Sequence, residues 1–255
     1  MSDLSETDRA ALVAFLTAIA DDEMLLGHRA SEWTGLAPVL EADIALSSIA
    51  QDEMGHARTW YGLLEPLTGQ TPDWMVFVRP WQAFRNAQLS ELPRGDWGFT
   101  LIRHYLHDVA EQVRLEALAQ STYAPSAQVA RKLRVEEKYH LIHGQTWIAK
   151  LGRATEESRR RMQTALDQVY PYALGLFEPP EGEEQLVRAG IVPASADLLE
   201  RWQPEVVSFL ADAGLTVPAT ARPVLGGRRG EHSEHLEALV GAMQLLEEIA
   251  PPETW

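Results

Sequence analysis

Apolar residues recur at alternating three- and four-residue steps in four long stretches of the chain, which predicts amphipathic helices near residues 6–30, 38–64, 98–121 and 126–151. The first is opened by Ser5-x-x-Asp8, a capping-box-like start, while Pro38 begins the second and Pro66 is expected to end it. The apolar stripe of the second helix reads Ala42, Leu46, Ile49, Glu53, His56, Trp60, Leu63, and that of the fourth Ala130, Leu133, Glu137, His140, Gly144, Trp147, Leu151. In both, a carboxylate and an imidazole three residues apart stand where the stripe calls for two apolar side chains. Glu23 interrupts Leu12, Leu16, Ile19 and Leu26 in the first helix, and the third reads Leu101, His104, Asp108, Glu111, Leu115, Leu118.

The links within the first and second pairs of helices are short, and a long stretch from Thr68 to Gly98 joins the pairs. That order predicts an all-α, ferritin-like four-helix bundle with a single long crossover. The crossover is rich in aromatic residues and prolines, with Trp74, Phe77, Trp81 and Phe84. It is expected to pack its own small apolar cluster over the bundle, or to serve as a lid. Further amphipathic helices near 155–175, 195–213 and 232–249 carry no comparable acids. The expectation is one domain over 1–255, with a core bundle at about 6–151 and a helical extension at about 152–255. Gly226-Gly-Arg-Arg-Gly230 reads as a solvated basic turn, since it lacks the strand-to-helix setting of a phosphate loop. Glu231-His-Ser-Glu-His235 reads as the start of a helix.

Composition narrows the class. At 45% hydrophobic over 255 residues there is enough apolar material for a core. No run of eighteen apolar residues and no basic-then-apolar start are present, so neither a membrane partner nor a signal peptide is expected, and a cytoplasmic location is. The net charge of −15 argues against a nucleic-acid partner. With no cysteine, the chain can hold no iron–sulfur cluster, and any electrons must come from outside.

The interrupted stripes carry the chemistry. Glu23 precedes Glu53 by 30 residues and Asp108 precedes Glu137 by 29, so two similar hairpins each place an acid opposite a Glu-x-x-His. Four ionised carboxylates in one core would repel and resist desolvation, and two divalent cations cancel them. Glu23, Glu53, His56, Asp108, Glu137 and His140 are therefore the candidate ligands of two metal ions, iron or manganese. Glu111, one turn beyond Asp108, is the alternative to it. Asp52 and Glu136 each stand four residues before a candidate histidine and could accept its free N–H, or lie exposed. His104, His107 and His143 repeat no Glu-x-x-His step and are expected in solvent or behind the ligands.

Two segments resemble a known family: Leu26-Gly-His-Arg-Ala-Ser-Glu-Trp-Thr-Gly-Leu-Ala-Pro-Val-Leu-Glu-Ala-Asp-Ile-Ala-Leu46, and Gly226-Gly-Arg-Arg-Gly-Glu-His-Ser-Glu-His-Leu236 with the terminal Trp255. They are similar to the C-type subunits of the bacterial phenylacetyl-CoA epoxidases, multicomponent ferritin-like monooxygenases. The resemblance implies a catalytic sister subunit of the A type and a separate flavin and iron–sulfur reductase. It further implies an acyl-CoA substrate and insertion of one oxygen atom of O2 into an aromatic ring as a 1,2-epoxide. It also implies a structural role, because C-type subunits are expected to have lost much of the metal set. This chain departs from that pattern, since all six candidates are present. A stand-alone ferroxidase fits less well, because the extension exceeds a storage bundle and Trp60 rather than Tyr follows His56 by one turn.

Overall fold

The computed structural model describes residues 4–249, with side chains as far as 245; Trp255 lies outside the described residues. Nine α-helices are described: α1 (Glu6–Ser31), α2 (Leu40–Thr68), α3 (Gln88–Glu91), α4 (Trp97–Leu118), α5 (Ala124–Ala154), α6 (Glu156–Ala173), α7 (Glu183–Arg188), α8 (Ser195–Asp212) and α9 (Leu236–Ile249). The described residues contain no strand, and α1 with α2 and α4 with α5 form the two hairpins of an all-α ferritin-like bundle. No described helix is long and apolar enough to cross a membrane.

Side-chain caps set three helix starts. The Ser5 side chain accepts from the Asp8 N–H, Asp96 accepts from Phe99 N–H at the start of α4, and Thr155 and Ser158 form a reciprocal capping box on α6. Pro66 does not end α2 as expected. The helix runs one half-turn further because Arg9 of α1 donates to the carbonyls of Pro66 and Leu67, and Gly69 closes the end at φ 77°.

The crossover also differs from expectation. One wide π-helical turn (Trp74–Val78) and a short 3-10 turn (Trp81–Ala83) lay Met75, Val76 and Phe84 into the core shared with α1 and α2, not into a cluster of their own. α9 covers this segment from outside, burying Leu236, Leu239, Val240 and Met243 in the same core. A second core lies among α4, α5, α6 and α8, and a third, smaller one holds Ala30, Trp33, Leu46, Ile49 and Ala50. Along α2 and α5 the acid–imidazole steps stand where one apolar cluster gives way to another.

The basic turn is buried at Gly226, Gly227 and Arg228 rather than solvated throughout, and Arg229 stays exposed. Arg228 reaches into the bundle and donates to Asp22 Oδ2 at 2.6 Å and to the carbonyls of Ala18 and Arg85. Gly227 permits this, since a Cβ there would collide with the Asn86 carbonyl oxygen. His232 lies between Glu91 Oε1 at 2.7 Å and the Phe84 carbonyl at 3.0 Å, so the segment read as a helix start is a clamp on the crossover, and α9 begins only at Leu236.

Candidate metal centre

α1 contributes Glu23, α2 contributes Glu53 and His56, α4 contributes Asp108, and α5 contributes Glu137 and His140; all six are buried. The hairpins bring them close through small residues. Gly27 sits so near α2 that a Cβ would lie 3.0 Å from Glu53 Cβ and 3.1 Å from the Ala50 carbonyl oxygen.

His56 Nδ1 lies 3.2 Å from Glu137 Oε1 and 3.8 Å from Glu23 Oε2, and His140 Nδ1 lies 3.3 Å from Glu137 Oε1 and 3.5 Å from Glu53 Oε1. The two rings stack with centroids 5.7 Å apart. One ligating atom from each of Glu23, Glu53, His56 and Glu137 falls within 4.8 Å of all the others. A second such group is Glu53, His104 and Asp108, so Glu53 joins the two halves.

Both ring nitrogens of each histidine have a defined task. Nδ1 faces the acids while Nε2 faces outward, where His56 meets Glu136 Oε2 at 2.9 Å and His140 meets Asp52 Oδ2 at 3.4 Å. The pairing crosses the bundle: the acid preceding each histidine in sequence serves the histidine of the other helix. Same-helix support, the sequence expectation, is replaced by cross-helix support because the Nε2 of each ring points across the α2–α5 seam. Glu136 and Asp52 remain 41% and 48% exposed, so these hydrogen bonds sit at the rim.

The donor set fits metal. Both carboxylate oxygens of Glu53 and of Glu137, Glu23 Oε2, Asp108 Oδ1, and Nδ1 of both histidines are buried without a hydrogen-bond partner among the described residues. Such orphans are costly singly and rarer still in one layer. Without cations the charge is shared by protons. Burial, then Glu53 beside it, pushes Glu23 well above the usual carboxylate range, and burial with Glu137 does the same to Asp108. Burial works against the charged form of His140, but contacts with Glu137 and Glu53 outweigh it and push the imidazole up to about 12. Cations would replace those protons.

Other placements depart from the sequence reading. Glu111 contacts the guanidinium of Arg114 and groups with Glu23 and His107 rather than taking the place of Asp108. His104 and His107 are buried against the acids, the second of the two places expected for them, whereas His143 is half-buried. The sequence reading passed over Asp21 and Asp22, which anchor the crossover and the carboxy-terminal tail. Asp21 accepts from Tyr61 at 2.5 Å, from Arg85 N–H at 2.7 Å and from Arg79, and Asp22 from Ala87 N–H at 2.7 Å and Arg228. Three consecutive acids inside an apolar helix were the available signal. A cleft of about 350 Å³ between α4 and α5, whose walls include Gln112, Glu116, Arg134, Lys138 and Leu141, leads from the surface to Glu137.

The chain is similar to known proteins over most of its length. All of residues 1–255 match the family described as phenylacetic acid catabolic protein. The chain is 31% identical to the C-type subunit of the 1,2-phenylacetyl-CoA epoxidase of Escherichia coli (strain K12) over 245 residues, 96% of this chain and 99% of that protein. It is 24% identical to the A-type subunit of the same organism's epoxidase over 192 residues, 73% of this chain and 62% of that one.

Proposed function

Since the chain belongs to the phenylacetic acid catabolic protein family, we propose that it is the metal-bearing subunit of a ferritin-like monooxygenase that epoxidises the ring of a phenylacetyl-CoA-type thioester. One oxygen atom of O2 enters the ring; the other leaves as water, with two electrons and two protons supplied through a separate reductase. An A-type sister subunit is its partner. The observation that carries this reading is the layer of unpartnered carboxylate and imidazole atoms converging from four helices.

Glu23, Glu53, His56 and Glu137 would hold one ion, and Asp108 and His140, sharing Glu53 and Glu137, the other. Two iron ions, or manganese in their place, would supply the redox chemistry that activates O2. The protein's own part is positioning. Glu136 and Asp52 would each accept a hydrogen bond from Nε2–H, which fixes the tautomers and leaves the Nδ1 lone pairs free to bind. The apolar clusters flanking the layer exclude water. The cleft reaching Glu137 suits entry of an aromatic ring, and Lys138 on its wall suits an anionic thioester, while Arg134 there faces Glu116.

A structural, non-catalytic role is the second reading, favoured by the greater likeness to the C-type than to the A-type protein. Reconstitution with a reductase and an A-type partner separates the two. On the first reading, Glu137→Gln leaves assembly intact but removes the ring-oxidation activity carried by this chain, seen as lost O2 uptake above the A-type background. Unchanged O2 uptake and product yield would establish the structural role instead.

A further inference from the structure

Two imidazoles of α4 reach the site without a task in the six-ligand centre. His104 and His107 stand one turn apart, at 5% and 0% exposure, and neither ring nitrogen of either has a hydrogen-bond partner among the described residues. Leaving a buried polar group unpaired costs about 1–3 kcal/mol, so each ring calls for an occupant beside it. Their surroundings differ. His107 groups with Glu23 and Glu111, and its Nδ1 stands 4.0 Å from Asp108 Oδ1; Glu23 Oε2 and both Glu111 oxygens lack hydrogen-bond partners among the described residues, but there the Arg114 guanidinium in contact with Glu111 already supplies a cation. His104 groups with Glu53 and Asp108, whose Oε1, Oε2 and Oδ1 atoms have no hydrogen-bond partner among the described residues. The neighbouring Arg103 points away, donating to the carbonyls of Leu92 and Pro93.

We propose that His104 is a further nitrogen ligand of the dimetal centre, binding the ion on the Asp108 side together with Glu53 and Asp108. This rests on the dimetal reading and deepens it. Two carboxylates with one neutral imidazole form a donor set for first-row divalent metals. The centre is then asymmetric, because the Asp108 side holds His140 and His104, whereas the Glu23 side holds His56. Imidazole favours iron, cobalt and zinc over manganese, so the Asp108 side is the more iron-selective half.

Cobalt(II) is a suitable probe, because its visible d–d bands report ligand type and number. Anaerobic titration of the full chain should give two Co(II) ions per parent chain. His104→Gln, close in volume, should weaken one of them by at least about tenfold and alter its d–d bands. His107→Gln should keep both affinities and the parent spectrum. Should His104→Gln fail to fold, proton NMR of the Co(II)-loaded parent gives the same answer: three hyperfine-shifted exchangeable imidazole N–H signals are expected, from His56, His104 and His140, and two would overturn the proposal. A folded His104→Gln with parent affinities and spectrum also overturns it and leaves the dimetal reading standing. A parent that takes up no Co(II) overturns both.

Discussion

Glu136 on α5 lies 2.9 Å from Nε2 of His56 on α2, not beside the histidine that follows it in sequence. Asp52 on α2 mirrors it, 3.4 Å from Nε2 of His140 on α5. Each helix thus carries one imidazole and the acid that orients the other helix's imidazole, which ties both halves of the site to one seam. Removing such a supporting acid weakens metal binding by about 10–100-fold in comparable sites. Glu136→Ala should therefore weaken the ion bound by His56, and Asp52→Ala the ion bound by His140, with the folded state retained because both acids are at the rim. Competition titration against a chelator reads each affinity; same-helix pairing would give the reverse assignment.

The approach of α1 to α2 depends on Gly27. In Gly27→Ala the new methyl meets Glu53 Cβ and the Ala50 carbonyl, so the helices must part by a few tenths of an ångström. Overpacking of this kind costs typically about 1–3 kcal/mol. Urea unfolding should show that loss, and metal affinity should fall with it because Glu53 moves. A variant as stable as the parent would mean that the hairpin is looser than described.

The tail is held by charge in a dry setting. Arg228→Ala leaves Asp22 buried with only the Ala87 N–H to bond it. Breaking one partner of a buried pair costs about 3–5 kcal/mol. Arg228→Ala with Asp22→Asn should recover part of that loss, since the stranded charge is gone. The readout is the urea midpoint of the two variants, and equal midpoints would contradict the pairing.

Acid should act partly through His28. Burial, opposed by Glu32 and aided by Arg29, holds its pKa below the usual value near 6.5. As pH falls below 6.5 the unfolded chain takes up this proton before the folded one does, so acidification favours unfolding. The contribution is complete above 6.5 and is lost as pH falls through the folded value. His28→Gln should flatten the pH dependence of unfolding between 7 and 5 relative to the parent, and an identical slope would mean that His28 contributes nothing to it.

Where the sequence was legible, the signal was local. The three-and-four stripe gave the four long helices and drew attention to Glu23, Glu53, His56, Asp108, Glu137 and His140, because a polar side chain on an apolar face is conspicuous in one dimension. Contacts between distant positions carry no such mark. Arg228 meets Asp22 across 206 residues and His232 meets Glu91 across 141, so a buried arginine read as a solvated turn and a clamp read as a helix start. Pro66 misled for a related reason: the side chain that carries α2 past it, Arg9, lies on another helix. His104 and His107 were set aside because motif spacing cannot report depth, and only packing puts them beside the acids.

The central claim is that the buried acids and imidazoles bind two metal ions. Iron analysis of the anaerobically loaded chain, with thermal unfolding before and after loading, tests it directly, using Glu53→Ala as comparison because Glu53 joins the two halves. Binding to the folded state alone raises stability by about 1.4 kcal/mol for each tenfold of free metal above Kd in the one-site limit. The expected result is two irons per parent chain, a higher Tm on loading, and no such rise in Glu53→Ala. A parent that retains no iron and melts at the same temperature with and without it would contradict the claim.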